Sequence, residues 1–127
     1  MLVNLLKSKI HRATVTDARI DYVGSITIDK SLIDEAGIKP YEKVLVASLD
    51  SGERLETYVI EGKRGSGEIC LNGAAAKIIK KAEKVIIMAF CLVDEEESVS
   101  FKPRIVHVDE KNHIIKGILT AQINEEC

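Results

Sequence analysis

A succession of short β-prone runs, each closed by turn residues, constrains this chain more than any other feature. Residues 14–20, 25–28, 43–48, 55–60, 68–71, 85–93 and 104–108 read as strands. Asp50-Ser51-Gly52 and Gly65-Ser66-Gly67 have the residue types that hairpin turns need. Seven or so short strands within about 110 residues favour a closed barrel over a sandwich or an α/β sheet.

Helices are few. Residues 30–36 form one, with Asp29 as its N-cap, Gly37 just past its end and Pro40 soon after. Residues 74–81 hold a second, started by Asn72-Gly73. The acids at 94–97 read as a solvated loop or helix end. After Asp109 the pattern weakens, so 110–127 is expected to be a mobile tail or to dock on a neighbour.

The 127 residues suit one domain. A net charge of −2 supplies no basic field, which argues against nucleic acid as a partner. No apolar run approaches the roughly 18 residues that span a bilayer, and the first residues have too short an apolar stretch for a signal peptide. The expectation is a cytoplasmic protein with no membrane partner. Cys70, Cys91 and Cys127 are odd in number and widely spaced, which fits neither a disulfide framework nor a metal site. Cys70 and Cys91 lie in apolar runs and are expected to be buried thiols.

The segment S-I-T-I-D-K-S-L-I-D-E-A-G-I-K-P-Y-E-K-V-L-V, residues 25–46, resembles the strand–helix–strand unit of AbrB-type swapped-hairpin DNA-binding domains. That likeness is the alternative reading: a DNA-binding or other non-enzymatic barrel module. A capped helix stopped at Gly37, with Ile38 turned back on the core, accounts for the same residues.

Four stretches point elsewhere when taken together. K-S-K-I-H-R carries Lys9 and His11. D-Y-V-G-S-I-T-I-D carries Tyr22, Gly24 and Ser25. G-E-R-L-E-T-Y-V-I carries Arg54, Thr57 and Tyr58, and R-G-S-G-E-I-C-L-N-G-A-A-A carries Asn72, Gly73, Ala74 and Ala75. In order and spacing they resemble the pyruvoyl-dependent aspartate decarboxylases, over about residues 1–109. Any one stretch alone is unspecific.

The resemblance implies a mainly β fold, a six- to seven-stranded double-psi β-barrel with one or two short helices, assembled as a homotetramer. It implies that the chain is made as a proenzyme and cuts itself between Gly24 and Ser25, giving chains 1–24 and 25–127. Whether a maturation factor assists stays open. Ser25 would become a covalent pyruvoyl group, with no metal and no pyridoxal phosphate. That group condenses with the amine of L-aspartate and serves as an electron sink for loss of the α-carboxylate, giving β-alanine and CO2 for pantothenate and coenzyme A synthesis.

The same resemblance gives Thr57 as oxyanion donor during cleavage and as a substrate contact, and Tyr58 as proton donor to the substrate. Lys9 and Arg54 would bind the carboxylates, and Asn72, Gly73, Ala74 and Ala75 would line the substrate loop. His11 and Tyr22 are second-line candidates.

Each of these has a plainer reading. Gly-Ser pairs commonly enter strands, and Gly65-Ser66 is set aside as the scissile bond because it sits in a glycine-rich turn. Arg54 could be a surface arginine, Tyr58 a strand tyrosine, and His11 a structural histidine. On a strand Arg54 and Tyr58 share a face and Thr57 points the other way, so a twist or bulge is expected to bring all three together.

Overall fold

The computed structural model describes residues 1–116. It is mainly β. In chain order the elements are β1 (Leu2–Thr14), β2 (Asp17–Arg19), β3 (Ser25–Asp29), α1 (Lys30–Ala36), β4 (Lys43–Ser48), β5 (Arg54–Gly62), β6 (Ile69–Asn72), α2 (Ala75–Ile78), β7 (Lys84–Asp94), α3 (Glu95–Ser98), β8 (Arg104–Val108) and β9 (Ile114–Ile115).

The strands form one sheet in the order β2-β6-β3-β5-β4-β7-β1-β8-β9. Two distant members of that order, β2 and β1, belong to one nearly continuous extended segment. At its break, Val15 exchanges backbone hydrogen bonds with the lead-in to β7: Val15 N donates to the Glu83 carbonyl, and Ala82 N donates to that of Val15. Next door, Thr16 N donates to the Ile69 carbonyl of β6. The segment thus joins both ends of the sheet, and the sheet closes into a barrel whose wall has six strands when β1 and β2 are taken as one. β8 and β9 lie outside this ring, laid on β1, where Ser8–His11 run parallel to Arg104–His107.

The inward residues alternate along the strands, as a barrel core requires. Ile10, Ile26, Ile28, Val44, Val46, Val59, Ile69, Leu71, Val85 and Ile87 meet inside, and Leu32 and Ile33 of α1 join them. Ile38 is also buried, because its N–H bonds back to the Ile33 carbonyl past the left-handed Gly37. The strand–helix–strand at 25–46 is therefore real as local structure, but it is built into the barrel: β3 pairs with β5 and β6, and β4 with β5 and β7.

Several sequence expectations need correction. The first strand is not 14–20: it starts at Leu2, and 17–19 is a separate short strand. Register shifts at Leu6/Ser8 and Ile10/Ala13, the second marked by Arg12 at φ 61°, break the two-residue period and hide β1 from a pattern search. The helix expected at 74–81 stops after one turn because Ile79 turns extended and enters the core. The acids expected as a solvated loop or helix end form the exposed turn α3, capped by Asp94. Cys70 is buried as expected, but Cys91 is half-exposed, and Cys127 lies outside the described residues. The tail expected from 110 onward is ordered as far as it is described. Asn112 is buried and bonds through its side chain to Thr14 N, Thr14 O and Gly67 O, each at 2.8 Å. Residues 117–127 lie outside the described residues.

Asp29 ties the end of β3 to two other elements. Its carboxylate accepts from Ser31 N at 2.8 Å and Ser31 Oγ at 2.6 Å, which caps α1. It also accepts from Gly65 N at 3.0 Å and Gly67 N at 2.8 Å, which fixes the turn before β6. This turn is not the hairpin connection expected from Gly65-Ser66-Gly67, because β3 lies between β5 and β6. Burial opposes its charge, yet these four donors hold the carboxyl below its usual range. Asp29→Ala should therefore lower unfolding free energy by about 2 kcal/mol or more in denaturant titration. The sign with pH follows from the lowered value: the contribution is full above roughly pH 4, the usual carboxyl range, and fades as pH falls through the folded-state value. The gap between parent and variant should narrow below that pH.

Candidate active site

Ser25 opens β3 and lies between two strands. On one side β6 runs antiparallel, with Ser25 opposite Asn72 and Thr27 opposite Cys70. On the other β5 runs parallel, and Ser25 and Tyr58 are the residues just before its first pair, Ile26 with Val59. Alternation sends Ile26, Ile28, Ile69 and Leu71 into the core, so Ser25, Thr27, Cys70 and Asn72 share the opposite face. That face is not open to water here. Ser25 is fully buried, and Cys70 and Asn72 are nearly so.

Buried polar groups must find partners, and these find one another. Asn72 Nδ2 donates to Ser25 Oγ and to Thr27 Oγ1, both at 3.0 Å. The Cys70 thiol donates to Asn72 Oδ1 at 3.3 Å. The Ser25 hydroxyl itself donates to the Val23 carbonyl at 3.3 Å. Burial pushes the Cys70 thiol above its usual range, against the nearby Arg19 guanidinium, which keeps it a donor. Ser66 is the contrast: it is exposed in its turn and donates only to the Lys63 carbonyl.

At one edge of this cluster Gly73 is a glycine for steric reasons. Gly73 has φ 71°, and a Cβ there would stand 2.7 Å from Gly24 Cα and 2.9 Å from Gly24 N. Its N–H donates to the Arg19 carbonyl at 2.8 Å, so the turn cannot back away without losing that bond. The Asn72-Gly73 turn is thus pressed against the backbone that leads through Gly24 into Ser25.

A cavity of about 350 Å³ opens beside that peptide, lined by Gly24, Thr57, Tyr58, Asn72, Ala74 and Ala75, with Leu55, Glu56 and Ile78 completing the wall. Six of the expected site residues therefore meet. No bulge is needed to bring Thr57 in: the β4–β5 register runs without a shift from Lys43↔Tyr58 to Ala47↔Arg54. Thr57 shares its face with Leu55 and Val59, Tyr58 shares its face with Arg54, and the cavity takes in both. The Tyr58 ring tilts against that of Tyr41, with centroids 6.5 Å apart.

Lys9 and Arg54 do not line this cavity. Arg54 is exposed at the start of β5. Lys9 sits in β1 between β7 and β8, and β1 lies across the ring from β5. His11 is two residues on in β1, paired with His107 of β8, their rings 5.1 Å apart. Tyr22 is exposed in the turn before Gly24, with the Arg19 guanidinium 5.1 Å above its ring. Thr27 and Cys70 escaped the sequence reading. Their signal was present in the two-residue spacing from Ser25 and from Asn72, once the two segments are known to pair.

Fold and site together define a mainly β barrel with a buried, hydrogen-bonded serine beside a cavity. The family model described as aspartate decarboxylase matches residues 1–115. An aspartate 1-decarboxylase from Caldicellulosiruptor saccharolyticus is 56% identical over 127 residues, covering 100% of this chain and 98% of the relative. Another, from Dehalococcoides mccartyi, is 58% identical over 112 residues, covering 88% of this chain and 90% of the relative. The chain belongs to the aspartate decarboxylase family, and it is an enzyme of that family.

Gly73→Ala and Gly24→Ala should separate sharply. The first adds a Cβ into the Gly24 backbone at a positive φ and should cost at least about 1–3 kcal/mol of stability. The second meets nothing closer than the Asn72 carbonyl at 3.9 Å and should leave thermal stability nearly unchanged. Melting temperatures of the two variants, measured side by side, check this.

Proposed function

We propose that this chain removes the α-carboxylate of L-aspartate to give β-alanine and CO2, supplying pantothenate and coenzyme A synthesis, and that it first cuts itself between Gly24 and Ser25. The observation that carries the reading is the Ser25 hydroxyl, fully buried, held by Asn72 Nδ2 and placed behind a glycine at the mouth of a cavity.

The residues fit self-cleavage. Ser25 Oγ would attack the Gly24 carbonyl, the C–N bond would break as the freed nitrogen gains the hydroxyl proton, and the resulting ester would lose the Gly24 carboxylate by elimination. Hydrolysis of the dehydroalanine left at position 25 would consume one water and release ammonia to give the pyruvoyl group. Gly24 is exposed and has no side chain to shield its carbonyl, while Ser25 behind it is fully buried. Thr57 shares the cavity with Gly24 and is the donor available for the oxyanion. Asn72 Nδ2 donates to the oxygen that becomes the ester oxygen.

The residues also fit a pyruvoyl group at position 25, since Gly24, Thr57, Tyr58, Asn72, Ala74 and Ala75 would enclose it without a bulky side chain from the Asn72–Ala75 turn. Such a group supplies an electron sink for the bond that breaks at the α-carbon. Tyr58 is placed on the cavity wall to hold and deliver a proton to the substrate. The small side chains of Ala74 and Ala75 let a carboxylate approach the turn closely, while the Gly73 N–H is already committed to the Arg19 carbonyl.

Lys9 and Arg54 supply the charges that a dianionic substrate needs, and the barrel does not bring them to the cavity of its own chain. They therefore act across a contact between copies, which favours the homotetramer, with Lys9 of one chain serving the Ser25 of another. His11, on the same outward face of β1 as Lys9, goes with it.

The reading is checked by following L-aspartate and β-alanine by NMR. Parent protein should convert one to the other, Ser25→Ala should not, and Tyr58→Phe should lose about a hundredfold in kcat while still cutting its backbone. Lys9→Ala and Ser25→Ala chains, each inactive, should recover activity when co-assembled. Failure of that pair to complement would place Lys9 in the cavity of its own chain.

A further inference from the structure

We infer that Thr27 and Cys70 are positioning residues, which together hold the Asn72 amide with its NH2 toward Ser25 and so prime the Gly24-Ser25 bond for cleavage. The inference rests on the self-cleavage reading above.

The argument is a count of donors and acceptors. On one side the Asn72 amide faces two hydroxyl oxygens, Ser25 Oγ and Thr27 Oγ1; on the other it faces one thiol, Cys70 Sγ. An amide NH2 has two hydrogens to place and a thiol is a weak acceptor. With the NH2 toward the hydroxyls, both N–H groups are used, and Oδ1 takes the thiol proton. Reversed, the NH2 would face sulfur alone and bury an N–H without a partner, at a cost that such sites do not tolerate. Thr27 provides the second acceptor that breaks the tie, and Cys70 provides the donor that Oδ1 requires.

The orientation matters for chemistry. With Nδ2 donating to Ser25 Oγ, the serine proton is sent to the Val23 carbonyl, and negative charge growing on Oγ meets a donor. Reversed, Oδ1 would accept that proton and set its own negative end against the nucleophile. Register makes the set self-consistent: Ser25 is opposite Asn72 and Thr27 opposite Cys70, so one slip of β3 on β6 would dismantle all of it. Neither Thr27 nor Cys70 lines the cavity, so neither touches substrate.

The test uses full-length chain made by cell-free synthesis, with backbone cleavage timed by intact-mass spectrometry. Thr27→Val should slow cleavage about tenfold, a 1.4 kcal/mol effect on the barrier, and Thr27→Ser should restore it. Cys70→Ala should slow it several-fold, with Cys70→Ser restoring it. In an Asn72→Ala background, Thr27→Val should have no further effect, because both act through one amide. The Asn72 side-chain N–H pair, read by hydrogen exchange in uncut chain, should be slow in the parent and fast in Thr27→Val. Parent and Thr27→Val chains that cleave equally fast would overturn the inference, as would an undiminished Thr27→Val effect without Asn72. A parent that never cleaves while its Asn72 amide exchanges as described would overturn the self-cleavage reading and leave the amide assignment standing.

Discussion

The antiparallel pairing of β3 with β6 is the contact on which the site depends. It sets Ser25 opposite Asn72 and sends Ile26, Ile28, Ile69 and Leu71 into the barrel together. The same pairing leaves a polar face that the fold buries rather than wets. Burial then makes hydrogen bonding obligatory, and Ser25, Thr27, Cys70 and Asn72 meet it largely among themselves, with the Val23 carbonyl taking the Ser25 proton. Ser25, the nucleophile of the proposed cleavage, is thus fixed by the register of two short strands. The glycine turn at 73 presses the neighbouring peptide into place from the other side.

Closure of the barrel makes that register durable. The segment from Leu2 to Arg19 bonds to β7 along one edge and to β8 and β6 along the other. Asn112 clamps it at Thr14 to the turn at Gly67, and Asp29 clamps the far end of β3 to the same turn. Both ends of the β3–β6 unit are held, so the buried polar face cannot be relieved by fraying. The ring has a second consequence. It separates β1 from β5, so Lys9 and Tyr58 stand on opposite sides of one chain's ring.

Much of this was legible in residue types. The turn at 50–52, the capped helix 30–36 and the runs that became β4, β5, β7 and β8 follow from local chemistry that tertiary packing did not override. Gly24-Ser25, Thr57-Tyr58 and Asn72–Ala75 were visible as separate stretches, and the barrel brought Gly24, Thr57, Tyr58, Asn72, Ala74 and Ala75 of them to one cavity. What stayed hidden depends on pairing. β1 was concealed because its bulges shift the apolar period. Thr27 and Cys70 look like ordinary strand residues until β3 is laid against β6. The need for a bulge in β5 was inferred from alternation alone, and it disappears because the cavity takes in residues from both faces of the strand.

The central claim is that the buried Ser25 junction is where the chain is cut, and intact-mass spectrometry of the purified, denatured protein tests it most directly. The account predicts two fragments, residues 1–24 and a chain beginning at position 25 with a blocked, amine-free terminus. A single uncut chain of 127 residues, unchanged after prolonged warming while aspartate is still decarboxylated, would contradict it.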